Sequence, residues 1–212
     1  MSSVFYKLPD YVHKRDAWSI RLTVDPISIP LSIVLNKVSW ISPNLITFSS
    51  FFTTLLSLYY FQLGTGYWLL GAAIWHFSNV LDSCDGKVAR MRNACTNFGA
   101  RLDSGLDKIK KILTLIVLSV AANDDYMLVI FFVALNYLLH YFPFKKNTAI
   151  LDFFGKFGFK DLYDPLDFFL IVFVVGPIFN SFLISLMFAV SLQIFSILLH
   201  LFFGSKWDEK AH

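Results

Sequence analysis

The chain has 212 residues, of which 56% are hydrophobic and 18% aromatic, and its mean hydropathy is +0.60. An ordinary soluble domain is about 45–50% apolar, so the composition excludes that class and indicates a membrane protein. The formal net charge of +3 is modest, and we expect no nucleic-acid partner. The two cysteines, Cys84 and Cys95, are too few for a disulfide framework.

Residues 1–42 form an N-terminal segment that mixes charged and apolar residues. It lacks the pattern of a cleaved signal peptide, so we expect this segment to be retained. Asp25 and Pro26 predict the N-cap and first residue of a short helix. Apolar residues follow at helical spacing, with Trp18 and Trp40 on either side: Ile27, Leu31, Val34, Leu35 and Val38. The pattern predicts an amphipathic helix in the membrane interface, and a packed core helix is the weaker alternative because little sequence is available to cover it.

Six apolar segments follow the N-terminal segment. A spanning helix needs about 20 mainly apolar residues, since each adds about 1.5 Å toward a hydrocarbon core of about 30 Å. We place the spans at 44–63, 67–89, 103–121, 125–143, 163–178 and 181–203. Residues 43–204 are therefore expected to form an all-α bundle of six transmembrane helices, and residues 205–212 a C-terminal tail.

The distribution of Lys and Arg predicts the orientation of this bundle. Six crossings place all 18 basic residues on one side of the membrane and none in the three opposite loops. By the positive-inside rule that side is cytoplasmic, together with both termini. The loop 143–165 carries Lys145, Lys146, Lys156 and Lys160, which either contact anionic headgroups or an acidic acceptor, or only set the topology.

Four aspartates occur where the second and third predicted spans meet the cytoplasmic side. Ionisable groups at membrane depth cost at least about 2.5–3.5 kcal/mol each, so they normally have a partner or a function. Asp82 and Asp85 are three residues apart, and Asp103 and Asp107 are four apart, so each pair projects from one helical face. A connection of about a dozen residues lets the two helices run antiparallel with the pairs facing each other.

Converging carboxylates repel one another unless a divalent ion neutralises them. All-oxygen ligation favours Mg²⁺, Mn²⁺ or Ca²⁺ over zinc. Four carboxylates can hold two ions, an arrangement that supports displacement at phosphorus. The ligand chemistry therefore predicts a divalent-cation site that leaves Mg²⁺, Mn²⁺ and Ca²⁺ open. The ions we expect are Mg²⁺ or Mn²⁺, two in number.

Gly86, Ala89 and Arg90 lie inside this carboxylate frame. The two small residues permit close approach of a ligand, and the planar guanidinium suits phosphate. Small residues at this spacing also occur where membrane helices only pack together, but their place within the frame favours binding. Upstream, Asn79 either hydrogen-bonds into the site or joins two helices, while His76 is expected to serve packing, as is Cys84.

These residues together resemble the full signature of the CDP-alcohol phosphotransferase family. The pattern reads Asp82-x-x-Asp85-Gly86-x-x-Ala89-Arg90, then eight residues, then Gly99-x-x-x-Asp103-x-x-x-Asp107. Eight specified positions within 26 make a chance match very improbable. The six predicted spans, the interfacial helix and Pro43-Asn44-x-x-Thr47 at the start of the first span are also similar to the family.

The resemblance implies an integral membrane transferase of phospholipid synthesis. Such an enzyme passes a phosphatidyl or phosphoalcohol group from a CDP-linked donor to an acceptor hydroxyl and releases CMP. It also implies a homodimer in contact with membrane lipids. The implied roles are metal ligands at Asp82, Asp85, Asp103 and Asp107, nucleotide contacts at Asp82, Gly86, Ala89 and Arg90, and the general base at Asp107.

The resemblance indicates the acceptor alcohol less clearly than it indicates the CDP-linked donor. We take as candidate acceptor or phosphate contacts Asn44, Arg101, Lys108, Lys145 and Lys146, and we expect Lys110 and Lys111 to extend toward the headgroup region. Either CDP-diacylglycerol donates to glycerol phosphate, serine or an inositol compound, or a CDP-linked headgroup reacts with a lipid or another polyol. The segment 15–47 resembles members that use inositol-type or other polar alcohols.

Two other functions fit part of the pattern. A divalent-cation channel or transporter explains the four aspartates but gives no role to Gly86, Ala89 and Arg90. An inactive scaffold explains the family resemblance, yet the signature is intact.

Overall fold

The computed structural model describes residues 12, 13, 16–141 and 146–208, with only the backbone for 203–208. This part of the chain is all-α, and its only strand-like pairing is a bridge between Asp16 and Phe159. The helices are α1 (Asp25–Asn36), α2 (Pro43–Gln62), α3 (Trp68–Met91), α4 (Asn97–Ala122), α5 (Tyr126–His140), α6 (Thr148–Gly155), α7 (Pro165–Leu170), α8 (Gly176–Ile178) and α9 (Phe182–Asp208). A π-helical turn, Ile20–Val24, runs into α1, another, Ile171–Val175, joins α7 to α8, and a 3-10 turn, Thr65–Tyr67, precedes α3.

Each of the six predicted spans coincides with helical structure. The predicted start of α2 is confirmed, because the Ser42 hydroxyl accepts a hydrogen bond from the Leu45 amide and Pro43 is the first helical residue. Within the described helices, Phe182–Phe202 is long and apolar enough to cross a membrane, while Tyr126–His140 and Pro165–Ile178 are apolar but shorter. The count of six crossings therefore stays a prediction.

The predicted role of Asp25 as an N-cap is wrong. Helical backbone begins before this residue, and Asp25 itself has helical dihedral angles. Its buried carboxylate accepts a hydrogen bond from Arg21 at 2.8 Å and lies 3.0 Å from the Lys87 ammonium. Two nearby cations stabilise a buried carboxylate more than a cap hydrogen bond would, so the side chain turns inward.

Helix α1 buries polar residues against the protein and exposes part of its apolar face, while Leu31 and Leu35 are half-buried against a small apolar cluster around Val80. Ser28 and Ser32 are fully buried beside α3, whereas Ile27, Ile33 and Val34 are exposed. An outward apolar face is what an interfacial helix requires. The position of α1 relative to a membrane remains a prediction.

The connection between α3 and α4 is shorter than predicted. It comprises residues 92–96, because the Thr96 hydroxyl accepts a hydrogen bond from the Gly99 amide and starts α4 six residues earlier than the sequence suggested. A Cβ atom on Gly99 would lie 3.2 Å from the Asn44 side-chain oxygen, so a glycine here lets α4 approach α2 closely. The two helices that carry the aspartates are thereby joined tightly.

Arg92 closes the C-terminal end of α1. Its guanidinium donates to the carbonyl oxygens of Leu35, Asn36, Val38 and Ile41 and to the Asn36 side chain, at 2.5–3.1 Å. Carbonyl groups at a helix end lack partners within the helix, and a cation also interacts favourably with the helix dipole there. This arginine therefore attaches α1 to the end of α3.

We expect the Arg92→Ala substitution to lower the free energy of unfolding by about 2–3 kcal/mol, because it removes several charge-assisted hydrogen bonds at once. Denaturant unfolding of the detergent-solubilised protein measures this change. Arg101→Ala is the control, since Arg101 is exposed. Equal effects of the two substitutions would contradict the role assigned to Arg92.

Candidate active site

A cavity of about 370 Å³ lies between α3, α4, the N-terminal segment and the start of α7. Its lining contains most of the signature residues, namely Asp82, Asp85, Gly86, Arg90, Asp103 and Asp107. Ala89 is half-buried, and the described lining does not include it. The two aspartate pairs thus converge on one partly open cavity, as predicted.

Three of the four carboxylates meet around one point. Asp82, Asp85 and Asp103 each place an oxygen within 4.8 Å of the others. The Asp103 Oδ1 atom is buried and has no hydrogen-bond partner in the described part of the chain. A buried carboxylate oxygen normally has a partner, and hard oxygen ligands at this spacing fit a divalent cation. The residues present therefore suit a metal ion.

Helix α2 orients two of these carboxylates. Thr47 donates a 2.5 Å hydrogen bond to Asp85 Oδ2, and Ser50 donates a 3.2 Å bond to Asp82 Oδ1. Ser50 is itself part of a buried hydroxyl network with Thr54 and Ser78. The similarity at Pro43-Asn44-x-x-Thr47 thus has a structural counterpart, because Thr47 contacts a signature aspartate.

Lys110 lies among the carboxylates and does not extend toward a headgroup region, so that expectation is wrong for this residue. Its side chain is 4% exposed. The ammonium contacts Asp82 Oδ1, donates to Ser50 Oγ at 2.9 Å and lies 3.7 Å from Asp107 Oδ1. Lys110 is three residues after Asp107, so helical spacing turns it toward the same face.

Asp107 lies beside the three-carboxylate group. Its Oδ2 atom is 2.5 Å from the Lys111 ammonium, which also lies 4.5 Å from the centre of the Phe169 ring. This cation–π contact and the ion pair fix Lys111 at the cavity wall. The Asp107 carboxylate is therefore held at the cavity by two lysines.

Arg90 folds back over Gly86. A Cβ atom at residue 86 would lie 3.3 Å from Arg90 Nη1, so a larger residue there would press on the guanidinium. Both residues line the cavity next to the aspartates. This arrangement places a guanidinium group, whose planar geometry suits phosphate, beside the carboxylate group.

The residues predicted to contact an acceptor do not gather at the cavity. Its described lining lacks Asn44, Arg101 and Lys108, and the last two are exposed. Lys146 pairs at 2.7 Å with Asp161, which is buried against His200. Lys145 lies outside the described residues.

The wall opposite the signature comes from two segments outside the signature helices, the N-terminal segment and the loop before α7. Asp16 and Lys160 line this wall, and two backbone hydrogen bonds join their segments. The Lys160 amide donates to Asp16 O, and the Asp16 amide donates to Gly158 O. Their side chains lie 3.5 Å apart. The N-terminal segment and the loop before α7 therefore close the cavity together.

His76 and Asn79, upstream of the signature on α3, also line the cavity. His76 Nε2 lies 3.2 Å from the Thr23 carbonyl oxygen, so this ring ties α3 to the N-terminal segment and serves more than packing. Cys84 points to a different side of α3, 3.5 Å from the Ser28 carbonyl oxygen, in agreement with a structural role.

Lys87, within the signature but not specified by it, joins α3 to the N-terminal helix. Its buried ammonium contacts Asp25 at 3.0 Å, Ser28 Oγ at 2.9 Å and the Ser83 hydroxyl. Sequence analysis counted Lys87 only toward topology. The lone aspartate at position 25 of an apolar helix, interpreted above as a helix cap, is the sequence feature that could have indicated a buried cationic partner.

Comparison with known proteins finds a matching family profile and several related transferases. The sequence profile of the CDP-alcohol phosphatidyltransferase family matches residues 40–203. The chain is 33% identical over 105 residues to CDP-diacylglycerol–inositol 3-phosphatidyltransferase of Schizosaccharomyces pombe, which covers 50% of this chain and 43% of that protein. It is 37% identical over 73 residues to CDP-diacylglycerol–serine O-phosphatidyltransferase of Helicobacter pylori (33% and 29%), and 36% identical over 93 residues to cholinephosphotransferase 1 of Rattus norvegicus (40% and 23%). Each match spans less than half of the relative's length.

We expect Lys87→Met to lower the free energy of unfolding by about 3 kcal/mol, because removing one partner of a buried ion pair leaves the other inadequately compensated. Adding Asp25→Asn to that variant should restore part of the loss. Denaturant unfolding of the single and double variants measures the coupling.

Lys108→Met, at an exposed lysine, is the matched control. Strictly additive losses in the double variant would show that Asp25 and Lys87 are not energetically coupled.

Proposed function

The chain belongs to the CDP-alcohol phosphatidyltransferase family, and we propose that it transfers a phosphatidyl group from CDP-diacylglycerol to a polar alcohol, releasing CMP. The observation that carries this proposal is the meeting of Asp82, Asp85 and Asp103 with Asp107 and Arg90 in one cavity. An ion path explains the aspartates but leaves the arginine beside them without a role.

We propose that catalysis depends on Mg²⁺ or Mn²⁺. Asp82, Asp85 and Asp103 would hold the ion, and the unpartnered Asp103 Oδ1 supports this assignment. A divalent ion bound there would polarise the phosphoryl group and stabilise the departing CMP. The ligands come from two helices joined by five residues, so the site is preorganised.

The other residues of the cavity bind the donor and move the proton. Arg90, folded over Gly86, contacts the phosphates of the CDP group, and the nucleotide lies along this part of α3. The Asp107 carboxylate accepts the proton of the acceptor hydroxyl while the hydroxyl oxygen attacks the phosphorus atom next to diacylglycerol. A new O–P bond forms, the pyrophosphate P–O bond breaks, and CMP leaves with the electron pair of that bond.

We infer that the acceptor is an uncharged polyol, with inositol as the first choice. The match to the inositol-specific relative covers half of this chain. The cavity lining also includes the hydrogen-bonding groups of His76, Asn79 and Thr23. The three lysines that line the cavity, Lys87, Lys111 and Lys160, are all paired with carboxylates, which favours an acceptor without a phosphate group.

We further propose six membrane crossings with the active site and both termini on the cytoplasmic side, and α1 in the interface. Exposed apolar side chains such as Phe52 on α2, Phe131 on α5 and Phe188 on α9 support contact with lipid. An apolar groove of about 810 Å³ between α4 and α5 supports a homodimer through these helices.

The full-length protein in detergent, supplied with CDP-diacylglycerol and Mn²⁺ or Mg²⁺, tests the activity. We expect CMP release with inositol, weaker or no release with serine, choline or glycerol phosphate, and loss of release after chelation by EDTA. Absence of CMP with every donor and alcohol would favour the inactive scaffold or the ion path.

Asp107→Asn should reduce turnover by about 100-fold or more, the usual contribution of a general base, while CMP binding changes only slightly. Turnover and CMP affinity are measured on the same preparation. Asp125→Asn is the control, since Asp125 caps α5 at the other end of the bundle and asparagine also caps helices. Retained turnover in Asp107→Asn would exclude Asp107 as the base.

A further inference from the structure

The family signature explains the four carboxylates but not the buried cation between them. Lys110 contacts two signature aspartates, Asp82 and Asp107, and the hydroxyl of Ser50 on a third helix. A lysine is among the residues least often fully buried. Its position within a carboxylate site therefore requires a specific role.

We propose that the Lys110 ammonium takes the place of a second metal ion, so that the site holds one divalent ion. That ion lies on Asp82, Asp85 and Asp103, while Lys110 bridges Asp82 and Asp107. The proposal rests on the metal-dependent function proposed above and gives its ion count. It makes Lys110 a positioning residue for one metal ligand and for the base.

The arrangement of the carboxylates supports a single ion. Asp107 is not part of the group of oxygens that lie within 4.8 Å of one another. Paired metal ions in phosphoryl-transfer sites lie about 3.5–4 Å apart and share carboxylate ligands. A second ion that bridged Asp82 and Asp107 would have to occupy the position of the Lys110 ammonium.

The surroundings of Lys110 hold it in that position. The side chain is 4% exposed, and Ser50, which accepts its hydrogen bond, is itself fully buried in the hydroxyl network of α2 and α3. On the same helix, the Thr114 hydroxyl donates to the Lys110 carbonyl oxygen and accepts from the Trp75 indole. These two bonds fix the α4 backbone at Lys110. A displaced ammonium would give up Asp82, Ser50 and Asp107 within a packed helix interface, where unpaired charge is strongly disfavoured.

The formal charges agree with one ion. Four ionised carboxylates carry a charge of −4, which one divalent ion balances together with Lys110 and Lys111. A second divalent ion would leave an excess of positive charge before any donor phosphate entered. Lys111 is fixed to Asp107 and Phe169, so it contributes its charge at the same place.

Counting Mn²⁺ ions bound to the purified full-length protein tests the proposal. Equilibrium dialysis with elemental analysis should give one tightly bound Mn²⁺ per chain, and electron paramagnetic resonance should show an uncoupled ion. Lys110→Met should bind two, because Asp82 and Asp107 then lack their bridging cation. Lys108→Met, an exposed lysine one residue after Asp107, should still bind one.

Two coupled Mn²⁺ ions in the wild-type protein would overturn the proposal, and so would a single ion in Lys110→Met. If Lys110→Met does not fold, Asp107→Asn decides the matter. One-ion binding predicts that this variant keeps one Mn²⁺ with an affinity within about threefold of wild type, whereas a loss of tenfold or more, about 1.4 kcal/mol, contradicts it. Neither measurement depends on CMP release, so a two-ion result would leave the transferase proposal standing.

Discussion

The structure depends on compensating several carboxylates that the fold encloses between helices. Four of these aspartates meet a cation or a hydroxyl: Lys110 and Ser50 at Asp82, Thr47 at Asp85, Lys111 at Asp107, and Lys87 with Arg21 at Asp25. In the described part of the chain, Asp103 Oδ1 has no such partner, which is the position where a metal ion is proposed to bind. Unpaired charge is costly in such surroundings, so these contacts determine which faces of α2, α3 and α4 pack together. The catalytic group and the helix packing are therefore products of the same interactions.

The sequence predicted what depends on local spacing. Helical periodicity located the long helices, and intervals of three and four residues placed Asp82 with Asp85 and Asp103 with Asp107, which the structure then brings together. It failed where a distant partner decides the outcome. Asp25 resembles a helix cap in the sequence but pairs with Lys87 in the structure. Lys110 and Lys108 are the same residue type, and only the packing of three helices around Lys110 buries it. Arg92 likewise acquires its role only when α1 packs against the end of α3.

The cavity has two sides of different origin. The signature residues of α3 and α4 form the side proposed to hold the CDP group, whereas the opposite side combines the N-terminal segment with the loop before α7. That second side is held by a backbone pairing at Asp16 and by Asp167, whose carboxylate accepts the Ser19 amide. Under the proposed function, substitutions on this second side are expected to alter the fit to the alcohol without touching the carboxylates, which would separate acceptor choice from phosphoryl chemistry.

The ion pair between α1 and α3 also bears on biosynthesis. Helix α1 is synthesised before α3, yet the ammonium group that pairs with Asp25 is carried by α3. Until α3 is in place, the Asp25 carboxylate lacks Lys87, and the carbonyl groups at the end of α1 lack Arg92. Docking of the N-terminal helix must therefore be a late event in assembly, and the cavity that it helps to enclose can form only after the helices bearing the aspartates are in place.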